Sequence, residues 1–302
     1  ARIERARGDW DALDHVLARH LELAEGPDAW LPLHVARAQL ALEQREDPVT
    51  ALSHIRHTDD LLTETAPEEL VTVLEALTAH DETRVEAANR LEKPYRMTER
   101  WEALFEVLKA RLDQAEGEGN LALVLDMANV AQEHLGDPRL ALRTVLPSFR
   151  STPSNLELRG IVEGLAEETT QWDLVIEEAE VALEAIEEPT ARVAHARWLA
   201  HTMKAHGQAE TAVWAYEEIL TAQPDDREAL EALEELHQGA MRYTKLIDVL
   251  DRQLDTLSLA NDAMAAVLMR KAHVFETGLH DPTAARKAAQ LALTYTPDSI
   301  DA

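Results

Sequence analysis

Residues 101–115 read WEALFEVLKARLDQA. The apolar positions Trp101, Leu104, Leu108, Leu112 and Ala115 follow steps of three and four, which places them on one stripe of an α-helix. The same frame returns as Trp172, Val175, Ala179, Leu183 and Ile186, and again as Tyr243, Leu246, Leu250, Leu254 and Leu257. Its first copy is Trp10, Leu13, Leu17, Leu21 and Ala24. A spacing of 71 residues separates Trp101 from Trp172 and Trp172 from Tyr243. A block of that size holds four helices, or two helical hairpins of about 35 residues each.

A second marker keeps step with the first. Asp47-Pro48, Asp137-Pro138 and Asp281-Pro282 each read as a helix N-cap followed by proline at the first helical position. Gly207-Gln208-Ala209 occupies the corresponding place in the third copy. Small residues follow at a fixed offset (Ala51, Ala141, Ala212 and Ala285), where they allow close helix approach. Pro153, Pro224 and Pro297 then punctuate the hairpins.

These residues resemble the tetratricopeptide repeat (TPR) family, whose pattern runs W-x2-L-G-x2-Y, then A-x3-F, then P. In the stretch from Ala196 to Pro224, Leu199, Ala200 and Met203 stand where the family has L, G and Y. Ala212, Tyr216 and Pro224 stand where it has A, F and P. Ala128, Ala141, Val145 and Pro153 form the next best match, and the first block departs with Thr63 in place of proline. The hairpins that carry the tryptophans match poorly, so related helical-hairpin solenoids stay open. The resemblance implies an all-α fold of about 16 helices, a right-handed α-solenoid of stacked antiparallel hairpins. Each hairpin is amphipathic and buries its stripe only against its neighbours. Trp10, Trp101, Trp172, Trp198 and Trp214 are then packing residues between hairpins.

The period breaks once. Trp10 and Trp101 lie 91 residues apart instead of 71. The expected organisation is a first repeat block at 1–80, an inserted helix and linker or kink at 81–98, and a periodic array at 99–302. The inserted helix runs from Asp81 to Lys93, with Pro94 ending it. Lys93-Pro94-Tyr95-Arg96 is a basic patch that reads as a linker or a docking point. After Pro224 the chain enters a helix from Asp226 to about Gln238, whereas no matching helix follows Pro297. The expectation is an array truncated at its C-terminus, within a longer protein, since the chain also opens at Ala1 and not at Met.

Composition supports helix and narrows function. Ala, Leu, Glu and Arg dominate, and aromatics make up only 4%. Against 29 basic residues stand 57 acidic ones, a net charge of −28. That charge opposes a nucleic-acid backbone and an anionic membrane surface, and it suits a partner with basic segments or simply a solvated surface. No cysteine occurs, which removes disulfides, thiolate zinc sites and thiol catalysis. No apolar run of 18 residues and no signal peptide are present in these residues, and the expected compartment is cytoplasmic before periplasmic.

No catalytic constellation emerges, and no enzyme, cofactor or metal is expected. His54 and His57 are three apart, and His195, His201 and His206 share a helix, but HExxH is absent and Glu234 to His237 gives a single ExxH. There is no Gly-x-Ser-x-Gly elbow and no phosphate-binding glycine loop, and Gly117-Glu-Gly119 is flanked by acids. By the TPR resemblance, the first helix of a hairpin faces a partner through its second, fifth, ninth and twelfth positions. These positions are Ala194, Arg197, His201 and Lys204, followed on the next such helix by Glu228, Glu231 and Glu235. Adjacent basic and acidic stripes would orient a peptide, or would pair with each other. The expected function is a non-catalytic interaction scaffold for a protein or peptide partner. The alternative is a structural or regulatory arm of a larger enzyme or of a membrane, secretion or motility assembly. A third reading, an acidic chaperone for basic clients, rests on net charge alone.

Overall fold

The computed structural model describes residues 8–56, 58, 62, 66–113, 119–256 and 260–296. Sixteen α-helices and no strand occur among them. The chain divides into two compact units: Ala1–Ser148 with Ile161–Thr170, and Phe149–Gly160 with Gln171–Ala302. Residues 81–98 lie inside the first unit.

The first unit contains α1 (Trp10–Leu21), α2 (Pro27–Arg45), α3 (Pro48–Ile55), α4 (Glu68–Leu77), α5 (Arg84–Met97), α6 (Trp101–Leu112) and α7 (Gly119–Asn129). The last of these widens into a π-turn over Val130–His134. Helices α8 (Pro138–Ser151) and α9 (Leu156–Thr169) cross the division. The second unit continues with α10 (Trp172–Ala185), α11 (Pro189–Ala205), α12 (Ala209–Ala222), α13 (Arg227–Gly239) and α14 (Tyr243–Thr256). It ends with α15 (Asn261–His273) and its π-turn Val274–Gly278, then α16 (Pro282–Tyr295). The tightest packing joins consecutive helices: α2 with α3, α5 with α6, α11 with α12, and α15 with α16.

One turn design recurs. Gly8, Glu46, Glu99, Gly136, Thr170, Gly207, Met241 and His280 all have positive φ. In each case one capping residue follows, and the next residue opens a helix. The left-handed residue lets the following amide reach back and close the preceding helix. Arg100 N–H bonds the Tyr95 carbonyl at 2.9 Å, Gln208 N–H bonds Met203 at 2.9 Å, and Asp281 N–H bonds Phe275 at 2.8 Å. The cap then starts the next helix. Asp47 accepts from the Thr50 amide and Asp137 from that of Leu140, both at 2.9 Å, while Asp281 accepts from Thr283 and Ala284. The three Asp-Pro sites therefore cap as the sequence predicts, and Gln208 makes no side-chain cap. Two helices lie between successive turns, except that α3, α4 and α5 all lie between Glu46 and Glu99.

The stripe residues form the core. Leu13, Leu17, Leu104, Leu108, Val175, Ala179, Leu183, Leu246 and Leu250 are buried, as are the small residues Ala51, Ala141 and Ala212. Each aromatic that opens a frame is half-buried. Trp101 stacks on His134 with ring centroids 3.6 Å apart, and Trp172 stacks on His206 at 3.9 Å. Tyr243 lies over Gly278, where a Cβ would meet its ring at 2.5 Å. The tryptophans thus meet the end of the following helix, one hairpin arm away. Leu257, Ala115, Gly117, Thr63, His57 and Pro297 lie outside the described residues.

Pro94 does not end its helix. Helix α5 begins at Arg84 and runs through Pro94 to Met97. The proline removes one amide donor, but the turn beyond it is held from outside. Pro94 and Tyr95 are buried, Tyr95 Oη donates to Glu75 at 2.7 Å, and Arg96 pairs with Glu92 and Asp126. Lys93-Pro94-Tyr95-Arg96 is therefore helix and not linker.

Candidate functional site

Five of the six residues marked by the sequence line one groove in the second unit, and the sixth, Arg197, pairs with Glu228. Helix α11 contributes Arg197, His201 and Lys204, and helix α13 contributes Glu228, Glu231 and Glu235. The two helices run parallel, so that Arg197 and His201 meet Glu228 near the start of α13 and Lys204 meets Glu235 further along. A cavity of about 700 Å³ occurs elsewhere in this unit; the groove itself is about 560 Å³, lined by His201, Lys204, Glu228, Glu231 and Glu235 over Tyr216.

The basic stripe is paired. Arg197 bonds Asp226 at 2.5 Å and also bonds Glu228. His201 Nε2 lies 3.0 Å from Glu228, and Lys204 Nζ is 2.5 Å from Glu235. The two stripes therefore engage each other across α11 and α13. Asp226, which the sequence reading did not mark as a site residue, is the most enclosed partner, its side chain only 11% exposed. It also caps α13, accepting from the Ala229 amide at 2.9 Å. Burial pushes its carboxyl up, but the Arg197 guanidinium and the Ala229 amide outweigh burial and hold it below the usual carboxylate range. The Asp226 hydrogen bond in turn holds the Arg197 guanidinium above its ordinary value. Arg197 thus orients the start of α13. Its role is positional, and the signal for Asp226 was its place two residues past Pro224, at a helix start.

The acidic side keeps surplus charge. Glu231 is 65% exposed and comes no nearer than 3.9 Å to Arg227, and Glu235 is 71% exposed despite Lys204. Beneath them lies the Tyr216 ring, with the His201 ring centroid 6.0 Å away. Such a surface offers carboxylates to lysine or arginine, while the Tyr216 ring beneath is buried in the core.

Similar ion pairs join other neighbouring helices. In the first unit Arg56 reaches Glu86 at 2.9 Å and Arg96 reaches Asp126. In the second, Arg252 reaches Glu217 at 2.6 Å and Arg270 reaches Glu234 at 2.7 Å. The pairing at α11 and α13 is one instance of this recurring contact between helices, with Arg197, His201 and Lys204 all engaged.

The histidines do not assemble into a centre. Among the described residues no group of three or more His, Cys, Asp or Glu is placed to hold a metal ion. His195 is fully buried beside Phe149 and Trp198, with Nε2 3.0 Å from the Ala179 carbonyl and Nδ1 3.2 Å from Arg159 Nη2. Burial pushes its pKa down to about 4. Glu234, of the ExxH pair, accepts from Gln253 at 2.8 Å and pairs with Arg270. No helix among the described residues is long and apolar enough to cross a membrane. No family model matches the chain, and no curated protein is detectably similar to it.

Proposed function

We propose that this protein is a non-catalytic, TPR-like α-solenoid whose α11–α13 groove binds a basic segment of a protein partner. The observation that carries this reading is the surplus of exposed carboxylate at Glu231 and Glu235, above the Tyr216 ring, on the helix face where the family resemblance locates recognition. Because Arg197, His201 and Lys204 are already paired, the groove selects cations and not a bipolar peptide. The recurring two-helix turn, and helices packed chiefly on chain neighbours, support the stacked-hairpin architecture. The alternative, a structural arm of a larger assembly, uses the same stacking without a groove ligand.

Peptide binding by fluorescence anisotropy tests the proposal. A library of labelled ten-residue peptides rich in Lys and Arg is titrated against the wild type and against Glu231→Lys/Glu235→Lys. Both substitutions lie at exposed positions and leave the core alone. A binder that weakens at least about tenfold in the double variant supports the groove, since each charge-assisted contact is worth roughly 1 kcal/mol or more. Equal affinity for both proteins, or no basic binder at all, overturns it and favours the structural-arm reading.

A further inference from the structure

The first unit repeats the elements of the α11–α13 groove without its ion pairs. Helices α2 and α4 pack on each other and are separated in sequence by one helix, α3, as α11 and α13 are by α12. Pro32, Val35 and Gln39 on α2 have the spacing of Ala194, Arg197 and His201 on α11. Pro67 stands at the N-cap of α4 where Asp226 caps α13, and Glu69 is the second residue of α4 as Glu228 is of α13. In the second unit Arg197 bridges the gap by bonding Asp226 and Glu228. Valine and proline at the corresponding places cannot, and a slot of about 410 Å³ stays open between α2 and α4.

The slot is apolar along its length and acidic at its edges. Leu31 and Val35, 8% and 5% exposed, close the floor. Accessible apolar surface comes from the exposed Pro32 and the half-buried Ala36 and Pro67. Asp28 and Glu69 line the slot as exposed carboxylates, and neither makes an ion pair among the described residues. The volume lies within the range of about 300–1,000 Å³ usual for ligand clefts. A net charge of −28 disfavours a second copy of this chain against two further carboxylates and favours a basic occupant. The apolar lining between the carboxylates asks that occupant for an apolar group between its charges.

We infer that the α2–α4 slot docks a segment of a protein partner that carries one aliphatic side chain between two basic residues. The aliphatic group lies on Pro32, Ala36 and Pro67, and the cationic groups meet Asp28 and Glu69. The α11–α13 groove offers carboxylates alone, whereas this slot adds an apolar anchor, the kind of contact that concentrates binding energy. The site is separate from that groove, so either can fail without the other.

Methyl-labelled NMR on the whole chain tests it, with affinity read from the Val35 and Leu31 methyl shifts. The probe is a seven-residue peptide with a central leucine and a lysine two residues away on each side. One control peptide replaces the leucine by serine, and another replaces both lysines by glutamate. Saturable shifts with the leucine peptide, at least about tenfold weaker binding of the serine peptide and no binding of the glutamate peptide support the slot. Asp28→Lys/Glu69→Lys, at exposed positions, should weaken the leucine peptide about tenfold at about 0.05 M NaCl and less at about 0.5 M. Glu231→Lys/Glu235→Lys should leave the same shifts unchanged. No saturable shift, equal affinity for the leucine and serine peptides, or an Asp28→Lys/Glu69→Lys variant that binds as the wild type does would overturn the inference. So would a concentration-dependent dimer that shifts the same methyls without peptide, because it assigns the slot to a second copy.

Discussion

His195 is held neutral by its surroundings. Its ring lies among Phe149, Trp198 and the Ala179 carbonyl, and the Arg159 guanidinium faces Nδ1. Burial is the main reason that its pKa falls from 6.5 to about 4. A histidine depressed in the folded state contributes stability that is complete above the unfolded value. That stability is lost as pH falls from 6.5 towards 4, because the unfolded chain takes up the proton first. The contribution is of order 3 kcal/mol. Proton NMR titration should show one imidazole resonance, absent in His195→Gln, that titrates near pH 4 instead of near 6.5. At Gly278 the constraint is steric. A methyl there would meet the Tyr243 ring at 2.5–2.9 Å. Gly278→Ala should lower stability by about 1–3 kcal/mol in urea denaturation, and Tyr243→Ala in the same chain should remove most of that penalty.

At the scale of elements, the left-handed turns between consecutive helices carry the design. The left-handed position is Gly at three of the eight turns, but Thr170 adopts φ 56° with a β-branched side chain. That geometry is strained for such a residue, by roughly 1–2 kcal/mol. Glycine relieves the strain but gains freedom in the unfolded chain. Thr170→Gly should therefore still stabilise by about 0.5–1 kcal/mol, measured by thermal and urea melts. The caps give a complementary pair of outcomes. Asp281→Ala should cost about 1 kcal/mol, because two amides lose their acceptor, and Gln208→Asp should gain about 0.5–1 kcal/mol by adding a cap where none exists. Helix starts were legible in the sequence because capping is local: Asp-Pro and the frame-opening aromatics each stand at the first turns they predict. The end of α5 was not legible, because the side chains that carry the helix past Pro94 come from Glu75 and Asp126, elsewhere in the chain.

At the scale of the whole molecule, the net charge of −28 opposes compaction, while ion pairs between hairpins oppose that repulsion. Most of those pairs are partly exposed and contribute little individually. Screening should therefore relieve more repulsion than it removes attraction. The thermal midpoint should rise as NaCl increases from about 0.02 to 0.5 M, a range over which the Debye length shrinks several-fold. A falling midpoint would mean that the inter-helix pairs dominate.

Periodicity, composition and capping residues determined that this chain is all helix, where its helices begin, which stripe each one buries and where the 71-residue period is interrupted. Those properties depend on contacts within a few residues along the chain, and a 3.6-residue period writes them into the sequence. Only the tertiary structure decided how charges are spent. Sequence left open whether the stripes at Arg197–Lys204 and Glu228–Glu235, about 30 residues apart, orient a peptide or pair with each other; the packing of α11 and α13 brings them within hydrogen-bond distance and leaves the surplus on Glu231 and Glu235. The division at Phe149–Thr170, the neutral burial of His195 and the open slot between α2 and α4 have the same origin. Each depends on which side chains of separate helices share one small volume, and local pattern carries no record of that.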